Sequence, residues 1–167
     1  IMLNIAVLVS GGGTNLQALI DAQAAGRIPN GQISCVVSSK ADAFALKRAE
    51  NAQIPTEILL RKSFADGREY DAALIALLQR YQIDLVVLAG FMTIIGTSVI
   101  RVFENRIINV HPSLIPSFCG EGFYGLRVHE AALKRGVKVT GATVHFVNEV
   151  CDGGPIILQK AVSVQPG

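Results

Sequence analysis

The sequence predicts an α/β fold with an open, mainly parallel sheet, helices on both faces and antiparallel strands late in the chain. Short apolar runs alternate with segments of helical period through the first half. A glycine-rich segment, Ser10-Gly-Gly-Gly-Thr14, follows the first apolar run. From residue 139 to residue 147 the side chains alternate in character, which is typical of a strand with two unlike faces. These three observations predict the fold class.

The first half reads as strand, helix, strand, repeated. Leu3–Val9 is apolar except for Asn4, as expected of a strand buried on both faces. The segment 15–25 places Leu16, Leu19 and Ile20 on one helical face. The same criteria predict strands at 33–37, 56–60 and 84–88 and helices at 43–50 and 69–81. This alternation indicates parallel strands joined by right-handed crossovers, a Rossmann-like arrangement.

The second half is less regular. A short helix is predicted at 97–103, a strand at 107–110 and a long loop rich in Gly, Pro and Ser at 112–125. A helix at 126–134 ends before Gly136, a common stop signal. Two late strands follow at 139–147 and 156–164, and we expect this pair to run antiparallel.

Composition limits the function. Half of the 167 residues are hydrophobic, and the net charge of +2 is too small to indicate nucleic acid or an anionic membrane surface. The uncharged stretch 85–100 is shorter than a membrane span and is interrupted by glycines. The three cysteines are widely spaced, which favours free thiols and a cytoplasmic location. A single domain over residues 1–167 is the expectation.

The glycine segment 10–15 lies where open α/β sheets usually bind anions, between a strand and a helix. A Walker loop is excluded because no lysine follows the glycines, and Leu16 stands where a dinucleotide fingerprint requires glycine. Serines, not an acid, end the second strand at 38–39. A single phosphate fits better, with Thr14 both capping the helix and donating to the phosphate. A tight turn capped by Thr14 remains the alternative.

Asn109 and His111 are two residues apart in a predicted strand and therefore project to one side. An amide can bind an oxyanion and an imidazole can move protons, so the pair suits acyl-type chemistry. Asp152, in Asp-Gly-Gly-Pro, would join them only if the fold brings it beside His111, where a carboxylate favours the imidazolium. The alternative is a partly buried polar strand end and an ordinary turn.

The remaining histidines and cysteines point to no second site. His145 is read either as structural or as lining the site, and His129 as a packing residue on a helix. Neither forms a metal set with His111 at usual ligand spacing. A nucleophilic role for Cys151 is disfavoured because nothing nearby in sequence would stabilise a thiolate.

Four stretches together carry a family resemblance: 7–17 (VLVSGGGTNLQ), 87–95 (VLAGFMTII), 108–118 (INVHPSLIPSF) and 141–159 (GATVHFVNEVCDGGPIILQ). They resemble the formyltransferase family, and within it the folate-dependent phosphoribosylglycinamide formyltransferases of purine synthesis. The Asn-x-His-Pro-Ser-Leu-x-Pro block with a downstream Asp-Gly-Gly-Pro is highly specific to enzymes that transfer or hydrolyse folate-bound formyl groups. The resemblance implies formyl transfer from 10-formyltetrahydrofolate to the amine of 5'-phosphoribosylglycinamide, through a tetrahedral intermediate.

The resemblance also implies roles for individual residues. His111 would be the catalytic acid and base, Asn109 the oxyanion donor and Asp152 the carboxylate that favours the charged imidazole. The phosphoribosyl group would be held by Gly12, Gly13, Thr14 and Asn15, and the folate by Arg68, Met92, Thr93, Ile94, Ile95 and Asn109. No metal is expected, and the partners would be small molecules, with no nucleic acid or membrane and a monomer or homodimer as assembly.

Three departures from the family pattern stand out. Thr93 occupies a position where relatives often carry a basic residue, and Thr14 replaces the commoner serine. The chain ends soon after the last predicted strand, so the C-terminal helix of the family is expected to be missing.

Three rival functions are a formyl-folate hydrolase, a methionyl-tRNA formyltransferase and a non-catalytic module that binds nucleotide phosphates. The phosphate-suited loop argues against the hydrolase, and the low net charge argues against a tRNA substrate.

Overall fold

Four parallel strands form the sheet of the amino-terminal part of the chain. The computed structural model describes residues 1–166 and divides into two compact units, Ile1–Ile107 and Ile108–Gly167. In the first unit, the hydrogen-bonded order is β3 (Thr56–Ile58), β2 (Gly31–Ser38), β1 (Leu3–Val9) and β4 (Leu85–Leu88). Every pair is parallel, as the alternation of strands and helices predicts.

Helices connect these strands in the predicted sequence. They are α1 (Thr14–Ala24), α2 (Phe44–Asn51), α3 (Gly67–Arg80) and α4 (Thr97–Val102), with a short 3₁₀ helix at Arg61–Ser63. The centre of β1 is fully buried from Ala6 to Val9, as its apolar run predicts. Helices α1 and α2 pack on each other, as do α3 and α4.

The start of α3 was predicted two residues too late. Asp66 is the N-cap: its carboxylate accepts from the Glu69 N–H at 3.0 Å, and the Glu69 carboxylate accepts from the Ala65 N–H at 3.0 Å. This exchange resembles a capping box, in which two side chains satisfy backbone donors that the helix leaves free. The third strand was also predicted too long. It ends at Ile58, and the 3₁₀ helix begins directly after Leu60.

The second unit is built on antiparallel strands. β5 (Ile107–His111) pairs with β6 (Val139–Phe146), and β6 pairs with β7 (Ile156–Ser163). Helix α5 (Leu126–Arg135) lies between β5 and β6 in sequence and ends at Gly136, whose φ of 76° is left-handed. The antiparallel pairing of β6 and β7 confirms the prediction for the late strands. The α/β fold class, parallel early and antiparallel late, is confirmed with it.

One prediction in this unit was wrong. His129 was expected to pack, but its side chain is exposed. The buried side of α5 carries Val128 and Ala132, one helical turn apart. His129 is displaced from Val128 by about 100° around the helix and therefore faces solvent.

No helix within residues 1–166 combines the length and the apolar character that crossing a membrane requires. The prediction of one domain over residues 1–167 stays a prediction, and Gly167 lies outside the described residues.

Candidate active site

Strand register creates a polar patch on one face of β5 and β6. Asn109 is paired with His145, and His111 with Thr143. Paired residues of antiparallel strands project to the same face, and so do residues two apart along a strand. All four side chains therefore form one group. His111, Thr143 and His145 are buried, and Asn109 Nδ2 lies 3.2 Å from His145 Nε2.

Asp152 reaches this patch on the turn between β6 and β7. Its φ of 52° is left-handed, a conformation that Asp tolerates better than most residues. The turn closes with the Gly153 N–H donating to the Val150 carbonyl at 3.0 Å. Asp152 Oδ2 then lies 3.5 Å from His111 Nδ1, and Oδ1 lies 3.7 Å from His145 Nε2. One carboxylate thus faces two imidazoles.

The loop 112–125 closes the patch with backbone groups. The Phe118 carbonyl lies 2.8 Å from His111 Nε2, and a carbonyl only accepts, so this nitrogen carries a hydrogen. The Gly120 N–H donates to Asp152 Oδ2 at 2.9 Å. Thr143 anchors the start of the loop, because its hydroxyl donates to the Ser113 carbonyl at 2.7 Å. The loop therefore holds both the acid and the imidazole in place.

The electrostatics favour a charged pair. Burial raises the pKa of Asp152, but contacts with His145, the Gly120 N–H and His111 outweigh it, so the pKa lies below its ordinary value. The Asp152 carboxylate raises the pKa of His145, although burial acts in the opposite direction. A negative Asp152 and a positive His145 therefore stabilise each other.

The structure brings together Asn109, His111 and Asp152, which are the three residues that the sequence predicted for catalysis. It adds His145, whose place sequence reasoning left open, and Thr143, which it missed. The signal for both was available, since Thr143-x-His145 repeats the two-residue spacing of Asn109-x-His111. What the sequence lacks is the register that pairs the two strands.

The glycine segment lies in the first unit. Gly13 precedes α1 with a left-handed φ of 75°, and a Cβ there would lie 2.6 Å from Ala45 Cβ. The Gly11 carbonyl accepts from the Ala45 N–H at 3.0 Å, and the Gly12 carbonyl from Arg48 Nε at 2.7 Å. The loop carbonyls are thus held against α2.

The predicted cap by Thr14 was wrong. Gly13 is the N-cap, without a side-chain cap bond, and Thr14 is the first helical residue. Helix α1 therefore begins one residue earlier than predicted. Thr14 and Asn15 are exposed, and the first backbone N–H groups of any helix lack intrahelical acceptors.

The segment 91–98 follows β4 and is held by two anchors. The Met92 N–H donates to the Ser10 hydroxyl at 2.8 Å, while Asp71 accepts from the Gly96 N–H at 3.1 Å and from the Ser98 hydroxyl at 2.9 Å.

The side chains of the candidate folate residues differ in their exposure to solvent. Ile94 is 90% exposed, Ile95 is buried and Thr93 is half-buried. Arg68, in the first turn of α3, is exposed.

The cysteines near Asp152 are thiols. Burial and the Asp152 charge raise the pKa of both Cys119 and Cys151. A nucleophile needs the thiolate, which this environment disfavours. Within residues 1–166 no group of three or more His, Cys, Asp and Glu side chains is arranged to hold a metal ion.

Comparison with known proteins identifies the class. Residues 3–167 match the family model described as formyl transferase, and the chain belongs to this family. It is 47% identical over 165 residues to phosphoribosylglycinamide formyltransferase of Haemophilus influenzae, covering 99% of this chain and 75% of that protein. It is also 47% identical to the human trifunctional purine biosynthetic protein adenosine-3, covering 98% of this chain and 16% of that protein.

Solved structures agree. Glycinamide ribonucleotide transformylase 1 from Symbiobacterium toebii is 45% identical, with a TM-score of 0.91 over 99% of this chain and 75% of that chain. Phosphoribosylglycinamide formyltransferase from Bacillus halodurans is 39% identical, with a TM-score of 0.89 over 97% and 80%. The predicted family and the formyltransferase class are thereby confirmed.

Proposed function

We propose that this chain transfers the formyl group of 10-formyltetrahydrofolate to the amine of 5'-phosphoribosylglycinamide. The relatives that it matches over nearly its whole length bear the name of this reaction. The observation that carries the proposal is the group formed by Asn109, His111 and Asp152, with a carboxylate oxygen 3.5 Å from the imidazole. Purine synthesis in the cytoplasm with small-molecule substrates is the corresponding setting.

The reaction is an acyl transfer between two nitrogens. The lone pair of the substrate amine attacks the formyl carbon, and the formyl oxygen becomes an oxyanion. Collapse of this intermediate breaks the bond between the carbon and the folate nitrogen. The amine loses one proton and the folate nitrogen gains one, so the transfer is balanced without an oxidant or a reductant. Asn109 and His111 donate to the oxyanion, and His111 carries the proton.

His111 acts through Nε2. Asp152 faces Nδ1, so the nitrogen that donates to the Phe118 carbonyl is the one left for the substrate. The substrate oxygen then replaces the Phe118 carbonyl as its acceptor.

The two substrates use different segments of the chain. Gly12, Gly13, Thr14 and Asn15 bind the phosphate through backbone N–H groups and the Thr14 hydroxyl, supported by the positive end of the α1 dipole. The candidate folate-binding residues are Asn109 in the second unit and, in the first unit, exposed Arg68 and the 92–95 segment. Ile94 offers its side chain, whereas buried Ile95 offers backbone groups only. Neutral Thr93 contributes no charge to the folate tail.

A first experiment separates transferase from its rivals. The chain is incubated with 10-formyltetrahydrofolate, with and without phosphoribosylglycinamide, and release of tetrahydrofolate is followed. Release that requires the amine supports the transferase. Release without the amine indicates a hydrolase, and none in either case indicates a module that only binds its ligands.

A second experiment tests His111. Losing one oxyanion donor raises a barrier by about 3 kcal/mol, roughly a hundredfold in rate. We therefore expect His111→Ala to lower turnover by at least this factor. Circular dichroism checks that the variant is folded, and near-normal turnover in a folded His111→Ala would contradict the assignment.

A further inference from the structure

The two ring nitrogens of His145 have different partners. Nδ1 lies 2.9 Å from the Phe146 carbonyl, which only accepts, so Nδ1 carries a hydrogen in every state of the ring. Nε2 lies 3.2 Å from Asn109 Nδ2 and 3.7 Å from Asp152 Oδ1. Ionisation of this buried imidazole therefore changes Nε2 alone.

The partner that Nε2 selects depends on its charge. Neutral His145 has a lone pair on Nε2, which accepts an N–H of Asn109 and directs the Asn109 carbonyl oxygen the opposite way. Charged His145 carries a hydrogen on Nε2 and accepts nothing. The carboxamide of Asn109 then turns about its last torsion, which is soft and nearly two-fold for Asn, and presents its oxygen to the imidazolium.

We propose that His145 is a positioning residue whose charge decides which end of the Asn109 carboxamide faces the reacting carbon. Charged His145 binds the carboxamide oxygen, so that the N–H groups of Asn109 turn toward the developing oxyanion. Neutral His145 binds the N–H end of the carboxamide, so that the carboxamide oxygen turns toward the developing oxyanion and repels it. The consequence for catalysis rests on the proposed function, but the coupling between the two side chains does not.

The surroundings of His145 favour the charged state. On β7 the residue paired with it is Ile156, which is apolar. On β5 the nearest titratable group is His111, which faces the same carboxylate. On the turn lie Asp152 and, 3.9 Å from its Oδ2, the neutral thiol of Cys151. Asp152 is thus the anion that faces His145, and it extends the charged state toward neutral pH.

The coupling is tested without substrate. The chain is labelled with ¹⁵N, and the His145 ring nitrogens and the Asn109 side-chain amide are followed by NMR as pH varies. We expect the Asn109 signals to shift with the midpoint at which His145 Nε2 gains its proton. In His145→Gln this shift disappears, whereas it persists in His129→Gln, which replaces an exposed histidine. The proposal would be overturned if the Asn109 chemical shifts did not change at the His145 midpoint, or if the same change persisted in His145→Gln.

Kinetics supply the second readout. Wild-type kcat is expected to fall as pH rises through the His145 midpoint. Glutamine can donate to Asn109 but does not titrate there, so His145→Gln retains most of kcat and loses this pH dependence. His145→Ala loses about tenfold in kcat with KM unchanged, the value of one hydrogen bond. Equal kcat values for Ala and Gln, with the wild-type pH profile in both, would overturn the proposal. If the wild type shows no transfer, the proposed function fails and the NMR titration alone decides.

Discussion

Gly13 is the position where a single methyl group has the most predictable effect. A Cβ there would lie 2.6 Å from Ala45 Cβ and 2.8 Å from Ala45 Cα, closer than carbon atoms approach. The φ of 75° adds about 1–2 kcal/mol for a side chain in the left-handed region. Overpacking against a backbone atom adds roughly 1–3 kcal/mol. We expect Gly13→Ala to lower the free energy of unfolding by about 3 kcal/mol.

The matched control is the neighbouring glycine. A Cβ on Gly12 meets no atom within 4 Å, so Gly12→Ala is expected to change stability by less than about 1 kcal/mol. Urea unfolding of both variants and the wild type, followed by circular dichroism, gives the comparison. If Gly13→Ala is as stable as Gly12→Ala, the close approach of the glycine segment to α2 is refuted.

Two further predictions concern buried and charged groups. The Tyr70 hydroxyl is buried with no hydrogen-bond partner in residues 1–166, so Tyr70→Phe should raise the free energy of unfolding by about 1 kcal/mol. Tyr81→Phe should instead lower it, because the variant loses a 2.8 Å hydrogen bond to Glu57. Urea unfolding measures both changes, and destabilisation by Tyr70→Phe would contradict the expectation for Tyr70. Asp152 contributes to stability at pH values above the ordinary carboxyl pKa of 3.8, and this contribution is lost as pH falls through the lowered pKa of Asp152 in the folded protein. His145 contributes fully at pH values below its ordinary pKa of 6.5, and this contribution is lost as pH rises through its raised pKa in the folded protein. The stability difference between wild type and Asp152→Asn should therefore be greatest between pH 4 and 6.5, and a difference independent of pH would contradict the pairing.

The sequence predicted most of the fold because its signals are local. The apolar run at Leu3–Val9 needs no tertiary information, and its predicted bounds are those of β1. The start of α3 was missed although Asp66 and Glu69 carry a recognisable cap. His129 was misread because one residue of helical rotation separates a buried position from an exposed one.

The site could be predicted less completely, because it depends on contacts between distant residues. Asn109 and His111 were identified from their spacing, but the position of Asp152 depends on a turn 41 residues beyond His111 in the sequence. His145 joins the group only through the β5–β6 register, which no local pattern specifies. The N-cap of α1 is Gly13 and not Thr14. The close approach of Gly13 to Ala45 is likewise a contact between residues distant in sequence.

The fate of the formyl carbon tests the account most directly. The chain is supplied with 10-formyltetrahydrofolate labelled with ¹³C in the formyl group and with phosphoribosylglycinamide, and the label is followed by NMR. We expect the label to appear as an amide of the phosphorylated substrate. In Asn109→Ala, checked by circular dichroism to be folded, we expect a rate at least a hundredfold lower. Label released as formate, or transfer by Asn109→Ala at the wild-type rate, would contradict the central claim.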